Sequence, residues 1–375
     1  MCYPYFAAAV MMLVFAPAPK PASLSLIHLS KASPHESTLK VHCAKGQAYL
    51  SWMPMAGAVS YRINRLEGSK GFIESTFTTS YHDPKTPRPV CGYEVFGLDD
   101  EGHEVGRSTP AYAVNSTAAW GVANLESNIR IRTDENFAGI IIERPHGAPQ
   151  AIKLAGIELD WVVQDVAVSP DNSILITISR SKLKDFSGWV LYDKKFHLIT
   201  KHVGPSGKST GQFRSPMGSG FGSNGDIVVA DTGNNRLQRF DAKGKFLGVV
   251  AESEVRLPMK VTCDKAGRLL VADSGNNRVS IFTAESSGQY KLNSSLMSGM
   301  KEPCYVHVDG TGRVFVSTNR VAGVYLFNEK AELVWTYRGT DEEPVSGPRG
   351  LYFRNGELHF VDVSTNDVRV VKPLH

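Results

Sequence analysis

Apolar residues along this chain either alternate with polar ones or come in runs of four or five, and heptad patterns are absent. AYLSW at 48–52, SYRIN at 60–64, TSYHD at 79–83 and GYEVFGLD at 92–99 alternate, as strands with one buried face do. Farther on, the runs IVVAD, LLVAD and VFVST each follow a glycine-bearing turn, SNGD, KAGR or GTGR. The pattern predicts an all-β protein of many short strands joined by tight turns.

The second half repeats itself. GQFRSPMGSGFGSNGDIVVADTGNNRLQRFDAKGKFLG at 211–248 is followed by LPMKVTCDKAGRLLVADSGNNRVSIF at 257–282, which sets Asp231 and Asp273 42 positions apart. Weaker copies occupy 302–327 and 347–371, and the segment 162–193 keeps the strand rhythm without the turn residues. A period in this range indicates a propeller or a solenoid. Within a copy, a strand follows a proline, a glycine turn reverses the chain, and an apolar run leads into GNNR, where Gly and Asn tolerate positive φ. Asp231 and Asp273 are expected to accept hydrogen bonds from that turn's amides, with Arg236 and Arg278 pairing to them. Asn234, Asn235, Asn276 and Asn277 belong to the same device, and the group reads as structural.

DTGNNR in a repeat of this length closely resembles the NHL repeat, which implies a β-propeller of four-stranded blades. At 42 residues per repeat, the 260 residues from 116 to 375 amount to about six blades. Their starts fall near 118, 159, 212, 255, 301 and 346. The last has material for three strands, and 111–114 is open to two roles: completing that blade, or ending the preceding domain. That preceding domain, 33–115, resembles a fibronectin type III sandwich in Trp52, Tyr61 and the run YEVFGLDDEGHEVGRST. The resemblance implies that Tyr93 packs in the penultimate strand and that 99–102 form the last hairpin. It also places Cys43 and Cys91 at one end of the sandwich, where a disulfide is expected, two buried thiols being the alternative.

The apolar run FAAAVMMLVFA at 6–16 is too short to span a bilayer and suits a signal-peptide core, so residues 1–25 read as a signal and the protein as exported, secreted or periplasmic. No later segment is long and apolar enough to cross a membrane. The net charge of +4 arises from 41 basic and 37 acidic residues spread evenly. Lys208, Arg214, Lys243, Lys245 and Arg256 are scattered, and nothing concentrates charge on a nucleic acid. Five cysteines show no zinc-site spacing, and Asn115 and Asn293 head glycosylation sequons.

The NHL resemblance directs the search for chemistry to the axis. In amidating lyases with NHL-like repeats, histidines just after the inner-strand proline bind zinc there. The matching positions here are Trp120, Gln164, Met217, Met259, Cys304 and Arg349. None is histidine, and Cys304 alone cannot hold a catalytic zinc. Lactonase-like propellers hold calcium instead. Gln164 and Asp165 suit that role but lack a third partner. His307 and His359 are not at equivalent positions and read as core or surface residues. The six ring positions form an amphipathic channel mouth with one anion-seeking arginine. The chain therefore reads as a monomeric, non-enzymatic binding or scaffolding protein, without a cofactor, for a protein, peptide or glycan. The alternative is a metal-dependent lyase or hydrolase, with zinc or calcium at the axial channel.

Overall fold

The computed structural model describes residues 36–44, 47–66, 71–84, 90–114, 121–126, 129–133, 139–144, 148–158, 161–181, 185–297, 299–363 and 367–373. The expected signal segment, Trp120 and the Asn115 sequon lie outside them. Among the described residues every regular element is a strand, apart from two single-turn 3₁₀ segments. No helix is long and apolar enough to cross a membrane.

The N-terminal unit packs two sheets. One joins Leu39–Ala44, Gln47–Trp52 and Ser80–Asp83; the other is built on Ser60–Arg65 and Val90–Leu98. The alternation read from the sequence appears as burial: Ala48, Leu50 and Trp52 face inward with Tyr61, Ile63, Tyr93 and Val95. The hydroxyl of Tyr93 donates to Asp83 (2.6 Å), which also pairs with Arg65 (2.5 Å). This buried triad ties the two sheets. Ala111–Val114 pairs antiparallel with Val90–Leu98, so it belongs to this unit. Cys91 is disulfide-bonded, whereas Cys263 and Cys304 are free thiols; the side chain of Cys43 lies outside the described residues.

From residue 122 onward the described residues form six consecutive antiparallel sheets, five of four strands and a last one of three. Their innermost strands are Val122–Leu125, Trp161–Val168, Gly218–Phe221, Pro258–Cys263, Pro303–Val308 and Arg349–Arg354. Each touches the next, and the last touches the first. Apolar packing follows the same circuit. One cluster of buried residues fills each junction between neighbouring sheets, and Val122 with Tyr352, Val361 and Val368 fills the junction of last with first. This is the arrangement of a β-propeller.

The reversals have a common chemistry. Asp241, Asp264, Asp309 and Asn328 each accept the amides two and four residues ahead, the Asx device for a tight turn. Gly267 completes one such turn at φ 78°. Among the described residues no strand from elsewhere joins the last sheet. Instead Arg130 donates to the Tyr352 hydroxyl (3.2 Å), and Arg354 to the carbonyl of Leu125 (3.1 Å).

Candidate functional site at the axis

Five of the six ring positions share one small cavity: Gln164, Met217, Met259, Cys304 and Arg349 line it with Asp165 and Tyr305. Its volume is about 20 Å³, room for roughly one water. The residues one step farther along each inner strand explain why it is so small. They are Gly121, Asp165, Gly218, Lys260, Tyr305 and Gly350, and they converge at the axis. The carboxylate of Asp165 accepts from Lys260 Nζ (2.5 Å) and the amide of Ser219 (3.2 Å) on one oxygen, and from the Tyr305 hydroxyl (3.1 Å) on the other. Lys260 donates also to the Ser219 carbonyl (2.8 Å) and lies 4.7 Å over the Tyr305 ring. Four sheets thus meet at one carboxylate.

Glycine makes the room. A Cβ on Gly218 would stand 2.6 Å from the Met259 carbonyl and 3.0 Å from the Lys260 stem; one on Gly121 would stand 2.7 Å from the amide of Val166. Burial lowers Lys260 from the usual lysine value against the opposing pull of Asp165, and raises Tyr305 well above the usual phenol value, Asp165 adding to the effect. Cys304 is buried against Ser317 and donates to the Pro348 carbonyl (3.2 Å). Burial raises its thiol, so it is the protonated form that sits there. Among the described residues no group of three or more His, Cys, Asp and Glu is placed to hold a metal ion. Lys260 and Tyr305 escaped the sequence reading. The available signal was an aspartate, a lysine and a tyrosine sharing one register position of the repeat with three glycines.

The conspicuous repeat residues gather elsewhere, at the end of the second strand in each of the two clear copies. Asp231 accepts from the amide of Arg214 (2.7 Å) and from the side chains of Asn234 (2.9 Å), Arg236 (2.8 Å) and Gln238 (3.1 Å). Asp273 does the same with the amide of Arg256 (2.7 Å), Asn276, Arg278 and Ser280. The expectation that the turn's own amides cap these carboxylates is corrected. The amide comes from the segment entering the inner strand, because Asn235 and Asn277 close a 3₁₀ turn in the left-handed region (φ 55°) and direct their side chains to the next sheet. There Asn235 accepts the amide of Leu257 and Asn277 that of Glu302. Gly233 has a separate reason: a Cβ there would stand 2.5 Å from the Arg214 carbonyl and 2.9 Å from its stem. Burial raises the carboxyl of Asp231 despite its four donors. The last sheet rebuilds the pair from an unforeseen residue, Arg369, whose Nε lies 2.8 Å from Asp362.

The NHL repeat family matches residues 214–240. That span holds the whole Asp231 network except its links to 207–212. Protein brain tumor of Drosophila melanogaster is 28% identical over 138 residues, 35% of this chain and 13% of that protein. The B-box type zinc finger protein ncl-1 of Caenorhabditis elegans is 43% identical over 68 residues, 18% of this chain and 7% of that protein. The chain therefore spans only a small part of these relatives. Among solved structures, a catalytically inactive virginiamycin B lyase from Staphylococcus aureus with quinupristin superposes at TM-score 0.51, with 10% identity and coverage of 90% of this chain and 95% of that one. An auxiliary nutrient binding protein from Bacteroides thetaiotaomicron superposes at 0.53, with 8% identity and coverage of 91% and 99%. At these identities the likeness is one of fold.

Both histidines singled out in the sequence are partly covered. His307 lies on the inner strand of the fifth sheet beside Phe315. His359 stacks on Tyr352 (4.5 Å) next to Arg130. Burial lowers each to about 4; Lys260 adds to this at His307 against Asp309, and Arg130 adds to it at His359. An unfolded histidine titrates near 6.5. Between those values the unfolded chain binds protons that the folded one refuses, so stability is full above about pH 6.5 and falls as pH drops toward 4. Urea unfolding at pH 7 and pH 5 is predicted to differ by on the order of 3 kcal/mol for the pair. The His307→Gln, His359→Gln double variant should flatten that dependence; an unchanged slope would reject the assignment.

Proposed function

We propose that this chain is an exported, monomeric, non-enzymatic binding or scaffolding protein. In this reading the six sheets are the blades of a six-bladed propeller spanning 116–375, and a fibronectin type III-like unit at 33–115 serves as spacer or docking module. Its partner is a protein, a peptide or a glycan. The observation that carries the reading is the plugged axis. The oxygens of Asp165, the best candidate for a calcium ligand, are engaged by Lys260, Tyr305 and Ser219, and the ring residues around them enclose about 20 Å³. A substrate has no room there, whereas the loop faces remain available for recognition. The fold shared with a nutrient binding protein supports the same reading, while the fold shared with a lyase keeps the alternative of axial catalysis in view.

Peptide and glycan arrays probed with the full chain, followed by cross-linking of each hit, test this. Cross-links in the loops between residues 121 and 373 are expected. Cross-links confined to 36–114 would reverse the roles of the two units. Stoichiometric calcium or zinc in the purified protein, lost in Asp165→Asn, would replace the reading with the metal-dependent alternative. The disulfide of Cys91 is proposed to run to Cys43, and a non-reducing peptide map should yield that linked pair; any other partner refutes it.

A further inference from the structure

A second opening lies off the axis, between the second and third sheets. It measures about 400 Å³, within the range that takes a small ligand. Lys208, Arg214, Ser179, Ser206, Ser215 and Asp185 line it, and the backbone of Gly207 forms part of the wall. The wall is braced. Gly207 donates its amide to Phe213 (2.9 Å), Ser206 to Asp185 (2.8 Å), and Asn234 of the Asp231 network holds the Gly207 carbonyl (2.8 Å). The stem of Arg214, an exposed residue, crosses Gly233 at close range.

The lining has a definite chemistry. Lys208 and Arg214 form no ion pair with any described residue, and among the described lining residues two cations stand with one carboxylate, a net charge of one positive. Lysine and arginine together suit an oxyanion. Serine hydroxyls both donate and accept, and a carboxylate accepts from hydroxyls. A ligand answering all three carries a single negative charge and several hydroxyl groups. We propose that this pocket binds an acidic sugar, a hexuronic acid or a comparable monosaccharide unit bearing one oxyanion. The proposal rests on the recognition reading above and narrows its partner to an anionic glycan.

Calorimetric titration of the full chain with glucuronate, glucose, glucose 6-phosphate and inorganic phosphate tests it. Saturable binding of glucuronate is expected, with glucose at least about tenfold weaker because the cations go unanswered. Lys208→Gln and Arg214→Gln should each weaken glucuronate about tenfold at an unchanged melting temperature, both side chains being exposed. Equal affinity for glucose 6-phosphate and inorganic phosphate, with none for glucuronate, would make this a phosphate site and overturn the proposal. So would glucuronate binding indifferent to both variants, or no saturable binding by any of the four. These failures leave the array experiment untouched, since a partner cross-linking to other propeller loops would still support the recognition reading.

Discussion

Asp165→Ala is expected to lower the melting temperature by about 10 °C, the largest effect of any single substitution in the propeller. The change strands three groups at once: the buried ammonium of Lys260, the Tyr305 hydroxyl and the amide of Ser219. Removing one member of a buried ion pair costs about 3–5 kcal/mol, because the other charge stays behind without its counter-charge. For a unit of this size each kcal/mol moves the midpoint by about 2–4 °C. Lys260→Met should be similarly damaging, since it leaves a carboxylate in the interior. A cycle of the singles Asp165→Asn and Lys260→Met with their double variant, which removes both charges and keeps an amide for Tyr305 and Ser219, should show the double losing less than the sum of those two singles by about 2 kcal/mol. Thermal and urea unfolding of the parent, Asp165→Asn, Lys260→Met and their double variant give the coupling directly. Additive losses would mean that the axis is held by packing and that the ion pair contributes nothing of its own.

Asp231→Ala is expected to cost about 3–4 kcal/mol, and more than Asp273→Ala. Both carboxylates are fully buried and each gathers a backbone amide, an asparagine and an arginine. The arginines differ: the Arg236 side chain is 7% exposed and that of Arg278 is 23% exposed. Water can reach Arg278 when its partner is removed, but Arg236 keeps an uncompensated charge in the interior. Arg236 also donates to the carbonyls of Ser209 and Gln212, so its release should loosen the segment that enters the third sheet. Hydrogen exchange at 207–216 is therefore predicted to rise in Asp231→Ala more than that at 249–258 does in Asp273→Ala. Equal costs, or the reverse order, would show that burial of the arginine does not set the penalty.

Much of the architecture was legible because it is written locally. Alternation in Gln47–Trp52 assigned faces correctly, and the expected turns KAGR at 265–268 and GTGR at 310–313 appear as Asx turns headed by Asp264 and Asp309. Strands also form where the motif fails, as in Trp161–Val168 and Ile174–Ser181, since a strand needs only its apolar rhythm. The candidate site was legible in half. Register alone brought Gln164, Met217, Met259, Cys304 and Arg349 to one cavity. The residues that fill that cavity's floor were passed over, because Lys260 and Tyr305 look like ordinary strand residues until their neighbours across the axis are known.

By itself the sequence determined which residues form strands, which face of each strand is apolar and where the chain reverses. All of these follow from side-chain periodicity of two and from backbone preferences at Gly, Asn and Asp. Only the tertiary structure decided that Ala111–Val114 joins the N-terminal unit, that Arg130 and Tyr352 join the two ends of the ring, and that Asp165 meets Lys260 95 residues away. The physical reason is that those contacts depend on closure. A charge at one register position acquires its partner only when the number and tilt of the sheets bring a particular pair of inner strands face to face across the axis.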